Sequence, residues 1–260
     1  MRVGFVQTKP RFGDVKQNVR RALAAAERLE ADLVVLPELF GTGYLFAGKE
    51  QALAFSERAR GGATVNAALE FARRTGAHLV GGFPERAGSK LYNSAFLVGP
   101  GGLVGVYRKI HLFMNEKKIF EPGKKPAPVW DIGIARVGIM ICFDWIFPEV
   151  ARSLALAGAD ILCHPANLVL PHCQDAMVTR CLENRVFAVT ANRTGAERRA
   201  GKHLRFTGRS RIVSPRGEVL AEGSASEPDA RAVKIDVLTA RDKHVTEAND
   251  LFGDRKQSLY

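Results

Sequence analysis

The sequence predicts a mixed α/β protein with helices covering sheets. Three observations carry this. Short apolar runs alternate with amphipathic helical stretches. Two pairs of strand-like runs are joined by glycine- and proline-rich turns, "LYNSAFLVGPGGLVGVYRK" and "GRSRIVSPRGEVLAE". An internal echo links "EADLVVLPEL" to "GADILCHPANL", each following a helix and each ending in a proline at a strand exit. Their aspartates, Asp32 and Asp160, lie 128 residues apart and hint at two related halves, each giving a sheet.

In order, residues 14–30 place Val15, Val19, Leu23, Ala26 and Leu29 at helical spacing, and "ADLVVLPE" is a short strand that ends at Pro37 and Glu38. Residues 63–75 form a second helix, followed by the strand "AHLVGGF" and the first hairpin. The segment 110–132 reads as a long loop rich in charge, proline and glycine. "IARVGIMIC" is a strand, and "FPEVARSLALAGA" a helix with Pro148 near its first turn. "DILCHPA" (strand), "QDAMVTRCLENRV" (helix) and "FAVTANR" (strand) follow, then the second hairpin and a last strand, "ARAVKIDV". The remainder reads as a polar tail. No linker or low-complexity segment divides the 260 residues, so 1–260 is read as one domain, with 240–260 as a tail.

Composition is that of an ordinary globular chain, 46% hydrophobic and 25% charged. The four cysteines, Cys142, Cys163, Cys173 and Cys181, form no C-x-x-C pair, which argues against a disulfide scaffold and for a reducing, cytoplasmic setting. The apolar start is too short for a signal peptide, and no run approaches the ~18 residues of a membrane span. The net charge of +11 and pI near 9.8 invite a nucleic-acid reading. The basic residues are nevertheless scattered, and the densest patch, "RTGAERRAGKHLR", interleaves no aromatics. A solvated basic surface is the expectation, and an anionic substrate is compatible with it. "GPGG" at 99–102 lacks a P-loop lysine and is a turn. Cys163, His164, His172 and Cys173 superficially suggest zinc, but adjacent strand residues point to opposite faces and the spacing fits no common zinc pattern. No metal or cofactor is expected. Glu183 and Arg185 are read as structural ion-pair or hydrogen-bonding residues.

Ligands of α/β proteins meet the carboxyl ends of strands. Three chemically active residues sit at such ends: Glu38, Lys109 and Cys142. A buried carboxylate can take a thiol proton, and an ammonium can stabilise the oxyanion formed when the thiol attacks a carbonyl or nitrile carbon. Each residue taken singly is more ordinary: a small buried hydrophobe, a capping acid, a solvated lysine.

The surrounding words decide between these readings. "LPELFGTGY", "YRKIHLF" and "ICFDWIFPE", in that order, closely resemble the signature blocks of the nitrilase superfamily of carbon–nitrogen hydrolases, and the match continues through "LYNSAFLVGPGG", "FEPG", "HPANL", "RCLENRVF" and "GRSRIVSPRGEV". The resemblance implies a four-layer αββα sandwich of two mixed sheets. It implies Glu38 as general base, Lys109 as stabiliser of the tetrahedral intermediate, Cys142 as nucleophile, and Glu116 as a second carboxylate that orients the substrate nitrogen or assists Lys109. The Phe143 N–H would complete the oxyanion pocket. Asn167 lies near the pocket in the family, while Tyr44, Trp145 and Phe147 either wall the substrate or belong to the core. The implied reaction is hydrolysis of a small, aliphatic amide through a thioester. Nitrile and carbamoyl substrates are the alternatives; "CFD" with "FPE" resembles the amidase and carbamoylase branches, and Phe143-Asp144 departs from the Trp-Glu that nitrile-preferring members often carry, which places nitrile behind amide. Pairing through Phe147 to Leu156, with the tail from Ala240 as an arm on the partner, is implied as well. A catalytically idle binding protein and a redox-sensing thiol protein are the competing classes, disfavoured by the complete residue set and by the lack of an adjacent resolving cysteine.

Overall fold

The computed structural model describes residues 1–259. The first half contains β1 (Arg2–Gln7), α1 (Val15–Glu27), β2 (Leu33–Val35), α2 (Lys49–Ala54), α3 (Ala63–Thr75), β3 (His78–Ala87), β4 (Lys90–Gly99) and β5 (Gly102–Arg108). Next come β6 (Val129–Asp131), β7 (Arg136–Ile139), α4 (Pro148–Leu156), β8 (Ile161–Pro165), α5 (Cys173–Asn184) and β9 (Phe187–Ala191). A ribbon of β10 (Ala196–Arg199) and β11 (Lys202–Arg205) precedes β12 (Arg211–Val213), β13 (Val219–Glu222) and β14 (Asp229–Lys234). β15 (His244–Thr246) and β16 (Asn249–Asp250) pair in the tail.

Two six-stranded sheets result, ordered β14-β1-β2-β3-β4-β5 and β13-β12-β9-β8-β7-β6. Each has a parallel centre, β1-β2-β3 and β7-β8-β9, flanked by antiparallel strands. The alternation of strand side chains makes the layers. In β1 and β2, Val3, Phe5, Leu33 and Val35 face the second sheet and join Val137, Ile139 and Ile161 in the larger core. Val6, Val34 and Leu36 face outward onto Val19, Ala22 and Ala26 of α1 and Val65, Ala68 and Phe71 of α3. The second sheet carries α4 and α5 on its outer side, through Ala151, Leu154, Met177 and Cys181. This is the αββα order. α3 stops where Gly76 adopts φ +76, a left-handed cap that suits glycine, and α4 starts with Pro148 in its first turn.

The echo noted in the sequence has a structural counterpart. Asp32 accepts the Arg2 N–H at 2.6 Å, and Asp160 accepts the Arg136 N–H at 2.8 Å. Each aspartate therefore precedes a central parallel strand and holds the first residue of the strand beside it. Their backbones match too, with Asp32 N–H donating to Arg2 O and Asp160 N–H to Arg136 O, both at 2.8 Å.

The structure corrects four local expectations. The segment 110–132 is not all loop: it contains a 3-10 turn, Met114–Lys118, and the edge strand β6. α2 was not anticipated. A 3-10 turn, Val237–Ala240, leads into the tail, which carries the β15–β16 pair. The basic patch 193–205 folds into the β10–β11 ribbon, and Arg193 within it is buried rather than solvated.

Candidate active site

Glu38 follows β2, Lys109 follows β5 and Cys142 follows β7, so three strand exits open on one place. Lys109 joins the polar groups there. Its Nζ donates to Glu38 Oε1 at 2.7 Å and lies 2.9 Å from the Glu116 carboxylate, with all three side chains buried. Asn93 on β4 donates its side-chain N–H to the same Glu38 Oε1 at 2.7 Å, and its backbone carbonyl accepts the Lys109 N–H at 2.8 Å. Glu38 Oε2 is buried with no hydrogen-bond partner among the described residues. One carboxylate oxygen is thus fixed and the other is free to take a proton.

Close backbone packing makes this possible. A Cβ on Gly82 would stand 2.5 Å from the Glu38 Cα and 2.7 Å from the Leu39 nitrogen, so only glycine lets β3 pass so near Glu38.

Cys142 follows Met140, whose N–H donates to the Cys163 carbonyl at 3.1 Å, and Ile141, which is extended, beyond the regular part of β7. It has φ +42, a left-handed conformation that costs a β-substituted residue of order 1–3 kcal/mol. The 3-10 turn Cys142–Ile146 begins there, and the first N–H groups of such a turn lie outside its own bonds. The turn is anchored by Asp144, fully buried. Its Oδ2 accepts Tyr107 O–H at 2.8 Å and the Ile141 N–H at 2.9 Å, and its Oδ1 contacts His111 Nδ1 at 2.8 Å. His164 on β8 places Nε2 3.0 Å from the Cys142 carbonyl and Nδ1 3.1 Å from Thr190 Oγ1. Burial pushes the His164 imidazole down to about 4, so it is neutral at pH 7, with Nε2 donating.

The electrostatics follow from burial and from neighbours. Burial raises the Glu38 carboxyl above its ordinary value, and the Glu116 charge adds to this against the opposing pull of Lys109. Burial works against the Lys109 ammonium, but Glu116 and Glu38 outweigh it and hold Lys109 well above normal. Burial, then the Glu38 charge, pushes the Cys142 thiol well up, while the Asn167 backbone N–H favours the thiolate. The resting thiol is therefore neutral, beside a carboxylate whose proton affinity has been raised. Such a pair can transfer a proton as the sulfur attacks.

The substrate-binding candidates fall in different places. Tyr44 donates its hydroxyl to Glu116 Oε1 at 2.6 Å, so it touches the polar cluster itself. Asn167 is buried after β8, with both side-chain polar atoms unpartnered among the described residues. Phe143 packs against Phe113 and Phe147, and Phe147 stacks on His111 at 3.7 Å. Trp145 is buried in the larger core, where its carbonyl accepts from Arg180. A small cavity of about 20 Å³ lies beside Glu116, lined by Tyr44, Phe46, Met114, Phe120 and, from the ribbon, Lys202 and Leu204. Of the zinc-like quartet, Cys163 and Cys173 belong to the core while His164 faces Cys142. Glu183 pairs with Arg180 at 2.8 Å, and Arg185 donates to the His244 carbonyl.

Sequence reading missed Asp144, Tyr107 and Asn93 as site-building residues. For all three the signal was present, since they lie inside the quoted blocks "ICFDWIFPE", "YRKIHLF" and "LYNSAFLVGPGG".

Comparison with known proteins gives the family. The sequence model of the carbon-nitrogen hydrolase family matches residues 2–243. The chain belongs to the carbon–nitrogen hydrolase family, and is a cysteine-dependent hydrolase of carbon–nitrogen bonds. It is 45% identical to a nitrilase of Pyrococcus abyssi, over 100% of this chain and 99% of that one. It is 35% identical to an (R)-stereoselective amidase of Pseudomonas sp, over 87% and 82%. Among solved structures it resembles an amidase from Nesterenkonia sp. AN1, a mutant of which carries acrylamide added at its active-site cysteine, with TM-score 0.82, 28% identity and coverage of 100% and 98%. Among the described residues, no helix is long and apolar enough to cross a membrane.

Proposed function

We propose that Glu38, Lys109 and Cys142 form the catalytic triad, assisted by Glu116, and that the substrate is a small aliphatic amide. The observation that carries this is the divided Glu38 carboxylate. Oε1 is held by Lys109 and Asn93 while Oε2 is buried and unpartnered, and its charge acts on the Cys142 thiol.

Glu38 Oε2 takes the Cys142 proton as sulfur bonds to the amide carbon. Lys109 Nζ and the Phe143 N–H stabilise the oxyanion. Glu38 then gives that proton to the departing nitrogen, the C–N bond breaks, and ammonia leaves a thioester on Cys142. Water loses a proton to Glu38 and attacks the thioester. The carboxylic acid departs, and the proton returns to sulfur. Each polar contribution is worth about two to four powers of ten in rate. Glu116, 2.9 Å from Lys109, orients the substrate nitrogen or the ammonium, and the unpartnered Asn167 amide is placed to hydrogen-bond substrate.

A nitrile is the second reading, favoured by the 45% identity to a nitrilase. Ammonia release from a panel of small amides, carbamoyl compounds and nitriles, with Cys142→Ala alongside, tests both. Release lost in the variant supports the mechanism and the panel ranks the substrates; release that persists would overturn it.

Pairing of two chains through Phe147 to Leu156 belongs to the same reading. Ile146, Leu156 and Leu182 expose apolar side chains around α4 and α5. A solution mass showing monomer alone at micromolar concentration would reject it. Four free cysteines suit a reducing, cytoplasmic setting.

A further inference from the structure

Arg193 and Glu197 form an ion pair inside the protein, with Arg193 1% and Glu197 6% exposed. Burying such a pair is costly, and apolar residues of like volume often serve stability as well or better. The pair's contacts show what it holds. Glu197 Oε2 accepts the Leu45 N–H at 2.7 Å, and both its oxygens accept the Tyr44 N–H, at 3.1 and 3.2 Å. Gly43 turns the chain immediately before. Its φ is +87, and a Cβ there would come within 2.9 Å of Glu197 Oε1. The loop is wrapped around that carboxylate as closely as its backbone permits.

A second route runs through rings. The Arg193 guanidinium lies 3.9 Å over the Phe206 ring, and Phe206 meets the Tyr44 ring edge-on with centroids 6.1 Å apart. Both routes end on Tyr44, whose hydroxyl reaches Glu116 Oε1 at 2.6 Å, and Glu116 in turn holds Lys109. The ribbon has one more part in this. Glu197 and Leu204 are cross-strand partners and share a face, and Leu204 lines the cavity beside Glu116.

We propose that Glu197, set by Arg193, is a positioning residue for catalysis: it fixes the Tyr44 loop so that Tyr44 aims Glu116 at Lys109 and the substrate nitrogen. This rests on the role given to Glu116 under Proposed function. Glu197 touches no substrate and acts only through Tyr44. The ribbon that carries it, β10–β11, is thus a brace for the site as well as part of the cavity wall.

A double-mutant cycle tests the relay, using the best substrate of the panel. Glu197→Ala, Tyr44→Phe, the double variant, Glu197→Gln and Glu116→Gln are compared for kcat, KM and thermal midpoint. Glu197→Ala is expected to lower kcat about tenfold or more with a smaller change in KM. The double variant should be no slower than the slower single variant, because both changes cut one route. Glu197→Gln, which keeps one acceptor oxygen, should recover part of the loss. Effects of Glu197→Ala and Tyr44→Phe that multiply, or a Glu197→Ala that melts earlier with wild-type kcat, would overturn the relay. Should Glu197→Ala fail to fold, Glu197→Gln with Tyr44→Phe completes the cycle under the same criterion. If Glu116→Gln is slow and the effects multiply, the relay alone fails. If Glu116→Gln keeps full kcat, the role of Glu116 fails and the relay with it.

Discussion

The Tyr107 hydroxyl donates to Asp144 Oδ2 at 2.8 Å, tying the strand that delivers Lys109 to the turn that carries Cys142. Tyr107 is two residues before the ammonium and Asp144 two after the thiol. The bond therefore ties Lys109 to Cys142, the proposed oxyanion stabiliser and nucleophile. Tyr107→Phe should cost about 1 kcal/mol of stability and lower kcat, since Ile141 N–H still satisfies that oxygen. Asp144→Ala orphans Tyr107, Ile141 and His111 groups together and should cost about 3 kcal/mol or more. Urea unfolding and steady-state rates measure both, and equal losses for the two variants would contradict the hub.

In the proposed mechanism Glu38 must be ionised to accept the thiol proton. Burial, and then the Glu116 charge, raise its pKa above 4.5. The acid limb of kcat/KM should accordingly fall above that value. In Glu116→Gln one raising cause is gone, so the limb should move to lower pH even though the rate at the optimum drops. A limb that stays in place would mean that another group governs it.

Lys109 is the only cation bonded to Glu38 and Glu116 among the described residues. Lys109→Met should lower kcat by about 10³ and stability by about 3–5 kcal/mol at pH 7, because two buried carboxylates lose their partner. Without the lowering pull of Lys109, the Glu38 pKa then rises further in the folded state. Folded protein binds protons more readily than unfolded, so the stability deficit should shrink as pH falls. Chemical denaturation at pH 7 and pH 5 checks this, and a deficit that grows on acidification would refute it.

His164 gives the opposite slope. Its folded pKa is near 4 against 6.5 when free, because burial disfavours the charge. Between these values the unfolded chain binds more protons, so stability is lost as pH falls from 6.5 to 4, by about 3 kcal/mol in all. His164→Gln should flatten the stability–pH curve over this window while lowering stability at pH 7. Parallel curves for variant and wild type would exclude a buried neutral imidazole.

Gly82→Ala places a methyl 2.5 Å from the Glu38 Cα, in contact with backbone that cannot yield cheaply. We expect a loss of 1–3 kcal/mol, by about the usual cost of overpacking, and a fall in kcat as the base is displaced. Thermal unfolding and rate measurements read the two effects, and wild-type kcat would show that the base tolerates the shift.

Much of this was legible in the sequence where pattern and chemistry coincide. The spacing in 63–75 matched α3, the two turn-linked runs became β4–β5 and β12–β13, and the strand exits placed Glu38, Lys109 and Cys142 together. The β10–β11 ribbon was not legible. "AERR" and "KHLR" offer Leu204 as the only large apolar residue, so no period-two signal exists, and the buried partner on the facing strand is an acid. The same charged surroundings concealed Arg193, which is buried because Glu197 and Phe206 lie against it. Nor does adjacency reveal direction: Trp145 is three residues from Cys142 yet points into the core, whereas distant Tyr44 reaches the polar cluster.

Glu38 and Lys109 ride on one sheet and Cys142 on the other. The three residues of the proposed triad therefore meet across the seam between two layers, and neither layer holds all of them. Sliding one sheet past the other by an ångström would part acid from thiol without unfolding a strand. With that triad, catalytic rate becomes a gauge of interlayer alignment, and loss of activity on heating or in denaturant should precede loss of secondary structure wherever the layers loosen first.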